Sequence, residues 1–320
     1  MDAKKIVCYG SGLIGSSWAT NFLMAGLDVT LFDIDDARLE AAKTLINQNF
    51  AFLVEQDILK QADCATMLTR LNCTTDAATA VKGAYLIQEN GPENIALKQT
   101  IAATIEANCP ADAIIASSTS GLLISDIAAK ATHPERFIGA HPYNPVHLIP
   151  LVEMTKGEHT DPNVLQEAYD FYKSIKKEPI ILRKEAPGFI SNRLQVALFR
   201  EAADLVDRGV CTIDEVDRAV CYGPGLRLGI IGGHTIFNLA AGPYGIKGAL
   251  KHLGPAIPVW LADMASWTEW PALYQDLDKI QAMTDEALAL RSPEQGRTIS
   301  EVADFRDKGL VTLLKFHGKL

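Results

Sequence analysis

The feature that most restricts the fold of this chain is the run KIVCYGSGLIG at residues 5–15, with SSWATNFLMAG and then VTLFD after it. A short apolar run ends at Gly10, and Gly10, Gly12 and Gly15 form a GxGxxG pattern. Trp18, Phe22 and Leu23 then recur at helical spacing, and Gly26 suits the position just past a helix end. VTLFD closes a strand–helix–strand unit of about thirty residues, with Asp33 at the end of its second strand. A lone GxGxxG says little. Placed between a strand and a helix, it describes a tight turn that lets the backbone approach a pyrophosphate at the helix N-terminus. Gly10, Gly12 and Gly15, with Leu13 and Ile14 between them, are therefore the expected cofactor loop. Asp33 is placed to accept hydrogen bonds from the adenosine ribose hydroxyls and to repel a 2′-phosphate, which favours NAD over NADP. The alternative, a glycine turn beside a solvated carboxylate, ranks well behind.

The alternation continues along the chain. AYLIQE (84–89), AIIASS (113–118), RFIGA (136–140), LVEM (151–154) and PIIL (179–182) read as strands, with helical stretches between most of them. Repeated β–α units favour an open, largely parallel doubly wound sheet of Rossmann type. Near Pro187 the period changes. PGFISNRLQVALFREAADLVDRG follows a helical repeat, with Pro187 suited to the first turn and Gly209 to the end. Thr212 to Glu215 reads as a capping box opening another helix, and no clear strand follows residue 183. The expected organisation is an NAD-binding domain over 1–186 and an all-helical domain over 187–320.

Bulk properties narrow the partners. At 320 residues the chain can bury a large core. Its net charge of −9 argues against nucleic-acid backbones and anionic membranes, though not against an acidic small molecule met by a local basic pocket. Six cysteines without a CxxC pair fit reduced thiols better than disulfides or zinc, so no metal is expected. The N-terminus enters a strand without a signal-peptide core, and no apolar run approaches a membrane span. These features suggest a soluble cytoplasmic protein.

The segment FIGAHPYNPVHLIPLVEM (137–154) carries the candidate chemistry. A nicotinamide implies hydride transfer, and oxidising an alcohol also requires a base for the hydroxyl proton. Histidine titrates near neutrality, and a carboxylate on its far ring nitrogen fixes the tautomer and stabilises the imidazolium. His141 with Glu153 fits these roles, although spacing alone does not prove contact. His147 reads as a pocket or surface residue, and the other histidines have no partner spacing that singles them out.

SSTSGLL (117–123), FIGAHPYNPVHLIPLVEM and PGFISNR (187–193) resemble the successive catalytic segments of the 3-hydroxyacyl-CoA dehydrogenase family, over residues 5 to about 220. The resemblance implies a catalytic set of Ser120, His141, Glu153 and Asn192, with Ser120 and Asn192 holding the substrate oxygens. It implies that Glu93, Lys98 and Asn144 help hold the cofactor, and that the helical domain is of the 6-phosphogluconate dehydrogenase C-terminal type. By local sequence alone, Ser120 suits a turn or N-cap, Asn192 a solvent-facing position, and Lys98 a solvated helix charge.

The later chain departs from the fatty-acid enzymes. GPGLRLGIIGGHTIFNLAAGPYGIKG and WLADMASWTEWP are similar to the lambda-crystallin, L-gulonate 3-dehydrogenase and L-carnitine dehydrogenase branch. That branch implies NAD-dependent oxidation of a free L-3-hydroxy acid, generally in a homodimer joined through the helical domain. Between Thr44 and Thr69 the only basic residue is Lys60, where CoA-using relatives place lysines. Arg227 is the expected partner of a substrate carboxylate, gripping it through two parallel hydrogen bonds, or else a structural ion-pair residue. Trp260, Trp267, Trp270 and Tyr274 form a cage for a quaternary ammonium or, the favoured reading, aromatic packing. A 3-hydroxybutyryl-CoA dehydrogenase and a crystallin-like NADH-binding structural protein are the alternatives.

Overall fold

The computed structural model describes residues 4–320. The chain divides into two compact units, one running to Asn192 and including His317–Leu320, the other Arg193–Phe316. The first unit alternates as the sequence suggests: β1 (Lys5–Tyr9), α1 (Leu13–Met24), β2 (Asp28–Phe32), α2 (Asp36–Glu55), α3 (Gln61–Leu68), β3 (Leu71–Thr74), α4 (Ala77–Val81) and β4 (Leu86–Glu89). It continues through α5 (Ile95–Glu106), β5 (Ile114–Ser117), α6 (Ile124–Ile127), β6 (Phe137–Pro142), β7 (Leu151–Lys156), α7 (Pro162–Ser174) and β8 (Glu178–Ile181).

The eight strands form one sheet in the order β3-β2-β1-β4-β5-β6-β7-β8. The first six follow the doubly wound dinucleotide-binding order, whose crevice opens where the strand order reverses, between β1 and β4. The sheet is parallel except for the β6–β7 pair, where His141 stands directly opposite Glu153. β3 is an addition to the sequence reading, since LNCT is short, only partly buried, and lacks a continuous apolar run.

Helices cover both faces. On one, Trp18 and Phe22 of α1 are fully buried, and Trp18 lies 5.6 Å from Tyr172 and Phe22 6.1 Å from Phe171, both on α7. On the other, Val7, Ile87 and Ile115 of the sheet pack with Ala80, Ala102, Ile105 and Ile127 of α4, α5 and α6. Burial of each large apolar side chain stabilises the fold by about 1.5–3 kcal/mol, so this rigid two-sided packing fixes the strand ends that carry the site. Gly26 adopts φ 75°, a left-handed stop for α1.

The second unit is helical. α8 (Ser191–Asp207) crosses into it, and α9 (Ile213–Tyr222) and α10 (Pro224–Leu228) follow. Pro187 does not open α8. Gly188 and Phe189 take φ 73° and φ 50°, a left-handed turn, and the helix begins at Ser191. The Thr212–Glu215 capping box forms as expected. No helix among the described residues is long and apolar enough to cross a membrane.

Candidate active site

The glycine loop sits at the carboxyl end of β1. Gly10 has φ 102°, and a Cβ on Gly15 would lie 1.9 Å from the Gly10 carbonyl oxygen, so both positions require glycine. A Cβ on Gly12 meets nothing within 4 Å. Packing inside the protein thus explains Gly10 and Gly15, while Gly12 faces open space at the N-terminus of α1. That helix has no side-chain cap and no acidic residue in its first turn, so the amides around Leu13 and Ile14 are left to an anionic ligand. These features fit a dinucleotide pyrophosphate.

Asp33 follows β2 and is almost wholly buried. Its Oδ2 accepts from the Ser11 amide at 2.8 Å and the Ser11 hydroxyl at 2.7 Å, and its Oδ1 accepts from the Ile34 amide at 2.8 Å. Burial alone would raise its carboxyl pKa. The bonds from Ser11 and Ile34, with Arg38 nearby, outweigh burial and hold it below the usual carboxylate range. The group is a fixed anion beside the loop.

Across the crevice, His141 near the end of β6 is buried, and its Nδ1 donates to Glu153 Oε2 at 2.9 Å. This bond leaves Nε2 as the basic nitrogen. Phe189 packs against the imidazole with ring centroids 5.5 Å apart, and Tyr143 meets it edge-on at 6.2 Å. Glu153 is fully buried, which would raise its pKa. Hydrogen bonds from His141, Ser191 and Ile190 reverse that effect and lower it. Its Oε1 accepts the amides of Ile190 and Ser191, each at 2.9 Å, and its Oε2 also accepts the Ser191 hydroxyl.

The companions bond chiefly to one another. Asn192 Nδ2 donates to the Ser120 carbonyl at 2.9 Å, and Glu93 Oε1 accepts the Thr119 hydroxyl at 2.6 Å and the Ser120 amide at 2.9 Å. Lys98 is not a solvated helix charge. It is 1% exposed, bonded to both oxygens of Glu89 (3.0 and 2.9 Å) and to the Gly91 carbonyl, with Glu93 3.9 Å away. Asn144 is exposed on the loop after β6. His147 is not a surface residue. It is buried, and its Nδ1 lies 2.8 Å from the Ser17 hydroxyl on α1.

Sequence reasoning missed Ser191 and Lys177. Lys177 is buried between α7 and β8, donates to the carbonyls of Val146 and Ile149, and lies 5.2 Å from the centroid of the Trp18 ring. It enters no ion pair among the described residues, and burial lowers its ammonium pKa to about 7. No local pattern announces either residue, because both act on the loop and strand of the His141–Glu153 hairpin from distant parts of the chain.

In the helical unit, Arg227 lies in α10, exposed and in no ion pair among the described residues. Phe199, Trp267, Trp270 and Tyr274 form a chain of ring contacts at 5.7–6.2 Å, and the Trp267 indole donates to Asp204. Trp260 is half exposed and outside that chain.

A doubly wound sheet, an uncapped glycine loop, a buried acid at the second strand and a carboxylate-oriented histidine together define a nicotinamide-dependent dehydrogenase. Residues 5–186 match the 3-hydroxyacyl-CoA dehydrogenase NAD binding domain and residues 188–271 the C-terminal domain of the same family. The chain belongs to the 3-hydroxyacyl-CoA dehydrogenase family and is an NAD-dependent oxidoreductase. It is 36% identical to an L-carnitine dehydrogenase of Streptomyces griseus over 320 residues, covering 100% of this chain and 91% of that protein. Among solved structures it resembles 5-formyl-3-hydroxy-2-methylpyridine 4-carboxylic acid 5-dehydrogenase, with a TM-score of 0.80 and 29% identity, covering 98% of this chain and 97% of that one. It also resembles (S)-3-hydroxybutyryl-CoA dehydrogenase from Ralstonia eutropha, with a TM-score of 0.66 and 27% identity, covering 81% and 89%.

Proposed function

We propose that this protein oxidises the 3-hydroxyl of a free L-3-hydroxy acid of the carnitine kind to the 3-keto acid. The observation that carries the reading is the buried His141–Glu153 pair, whose Nδ1–Oε2 bond leaves Nε2 to take the hydroxyl proton. NAD, when bound, supplies the hydride acceptor. Gly10, Gly12, Leu13, Ile14, Gly15 and Asp33 hold it, helped by Asn144, Glu93 and Lys98, the last two chiefly by fixing the loops at Gly91 and Ser120. Glu153 stabilises the imidazolium formed at His141, while Ser120 and Asn192 hold the substrate oxygens. Residues 1–186 serve as the NAD-binding domain and 187–320 as the substrate and dimerisation domain.

Free acids are favoured over thioesters by the whole-chain likeness to L-carnitine dehydrogenase and by Arg227, whose guanidinium, in no ion pair among the described residues, suits a carboxylate. An L-gulonate-like sugar acid is the second choice within the same class. Association as a homodimer through the helical unit is supported by large apolar side chains exposed there, including Leu226, Tyr244, Val259 and Leu261. Six free cysteines suit a reducing compartment such as the cytoplasm.

The test is initial-rate oxidation of L-carnitine, L-gulonate, L-3-hydroxybutyrate and L-3-hydroxybutyryl-CoA with NAD. The expected result is the highest kcat/KM for a free acid, L-carnitine first. Preference for the CoA ester over every free acid overturns the substrate assignment. NADH binding without turnover of any of the four instead supports a structural, crystallin-like role.

A further inference from the structure

The hydroxyl of Ser191 has no part in the proton transfer described above. Yet it donates to Glu153 Oε2, the same oxygen that accepts His141 Nδ1–H. The turn that delivers it is costly. Phe189 holds φ 50°, a left-handed conformation that a bulky residue rarely adopts. In return its ring is buried beside the imidazole, and the next two amides point onto Glu153 Oε1. Tyr143, whose ring meets the imidazole edge-on, also interacts electrostatically with Ser191 and Glu153. Glu153 thus accepts four hydrogen bonds in a fully buried site, and His141 supplies one of them.

We propose that Ser191 is a positioning residue for the reaction: its hydroxyl fixes the Glu153 oxygen that faces His141 and limits how strongly that carboxylate holds the imidazolium. The physical reason is charge sharing. A carboxylate whose charge is spread over several donors attracts each one less, and removing a donor concentrates charge on those that remain. Without the Ser191 hydroxyl, Oε2 is left to His141 alone and the protonated imidazole is favoured. Among the described residues, the titratable groups around this hydroxyl are its acceptor Glu153 from β7, His141 from β6 bonded to the same oxygen, and Tyr143 from the loop between them. The hydroxyl therefore sets the pH at which the base becomes available.

The inference rests on the reading of His141 as the base, and the test separates the two. Ser191→Ala and Ser191→Thr are made in the full chain, and kcat/KM for L-carnitine with NAD is measured against pH. In the alanine variant the acid limb should move upward by about half to one pH unit, a fraction of one charge-assisted hydrogen bond. KM for NAD should stay near the parent value. The threonine variant, which keeps a hydroxyl, should restore the parent profile. An alanine variant slower at every pH with an unmoved acid limb overturns the proposal and makes Ser191 a packing residue. Should the protein oxidise no 3-hydroxy acid, the substrate reading fails on its own. The ¹⁵N NMR titration of the His141 ring, read without substrate, then decides the role of Ser191: an upward shift in the alanine variant supports it, and an unchanged or lowered midpoint refutes it.

Discussion

Replacing Lys177 by methionine tests whether burial makes the charged form of this lysine costly. Its folded pKa of about 7 lies below the ordinary 10.5, because burial disfavours the charged form. The folded chain therefore loses this proton at lower pH than the unfolded chain. Between pH 7 and 10.5 unfolding takes up a proton, and stability rises with pH. Below pH 7 the full cost of burying the charge is present. A displacement of about 3.5 units corresponds to about 5 kcal/mol in total, and linkage assigns about 2 kcal/mol of it to the interval from about pH 7 to about pH 9. Methionine matches the apolar stem without titrating, at the loss of the bonds to the Val146 and Ile149 carbonyls. Urea unfolding at a series of pH values, followed by circular dichroism, should show the parent gaining about 2 kcal/mol on the variant across that window. Parallel stability curves would refute the reasoning, as would a parent that loses ground to the variant as pH rises.

Asp33→Ala should weaken NAD binding and narrow the preference over NADP, because it removes a fixed anion that repels a 2′-phosphate and leaves the Arg38 guanidinium, 3.9 Å from Asp33 Oδ1, nearby. Equal catalytic efficiency of the parent with both cofactors counts against this. His141→Ala should lower kcat by about a hundredfold or more with little change in NADH affinity, as expected for loss of a general base; near-native turnover removes His141 from the mechanism. Arg227→Lys should raise KM for a free hydroxy acid strongly while leaving NAD binding and thermal stability unchanged, since lysine cannot form the paired guanidinium bonds. A loss of stability at constant KM would make Arg227 structural.

The parts of the fold that were legible in the sequence are those whose physics is local. The glycine loop, the strand before it and the helix after it share one apolar pattern, and the buried strands from β4 to β7 each open on an apolar pair. β3 escaped because an edge strand with the polar sequence LNCT owes its conformation to β2 beside it. The start of α8 was misplaced because Pro187 carries a helix-start signal that Gly188 and Phe189 override with a left-handed turn. The histidine and glutamate were identifiable by chemical type, but their contact depends on the strand register. Ser191, thirty-eight residues from Glu153, and Lys177, which reaches back twenty-eight and thirty-one residues to its carbonyls, become visible only once the sheet is assembled.

The antiparallel step between β6 and β7 bears on how such a protein diversifies. His141 and Glu153 face one another across a ladder, so their spacing is inherited from backbone pairing and not from the chain that joins them. The connecting residues 143–150 lie beyond the last rung. Those residues are held in turn by their own burial at Val146, His147 and Leu148 and by the Ser17 and Lys177 anchors, whereas the histidine–glutamate pairing is held by the ladder. A deletion inside either six-residue strand acts differently, because it inverts the alternation and turns the imidazole or the carboxylate to the opposite face. Change in the loop is therefore limited by its anchors and buried side chains, and change in the strands by the face on which each side chain must stand.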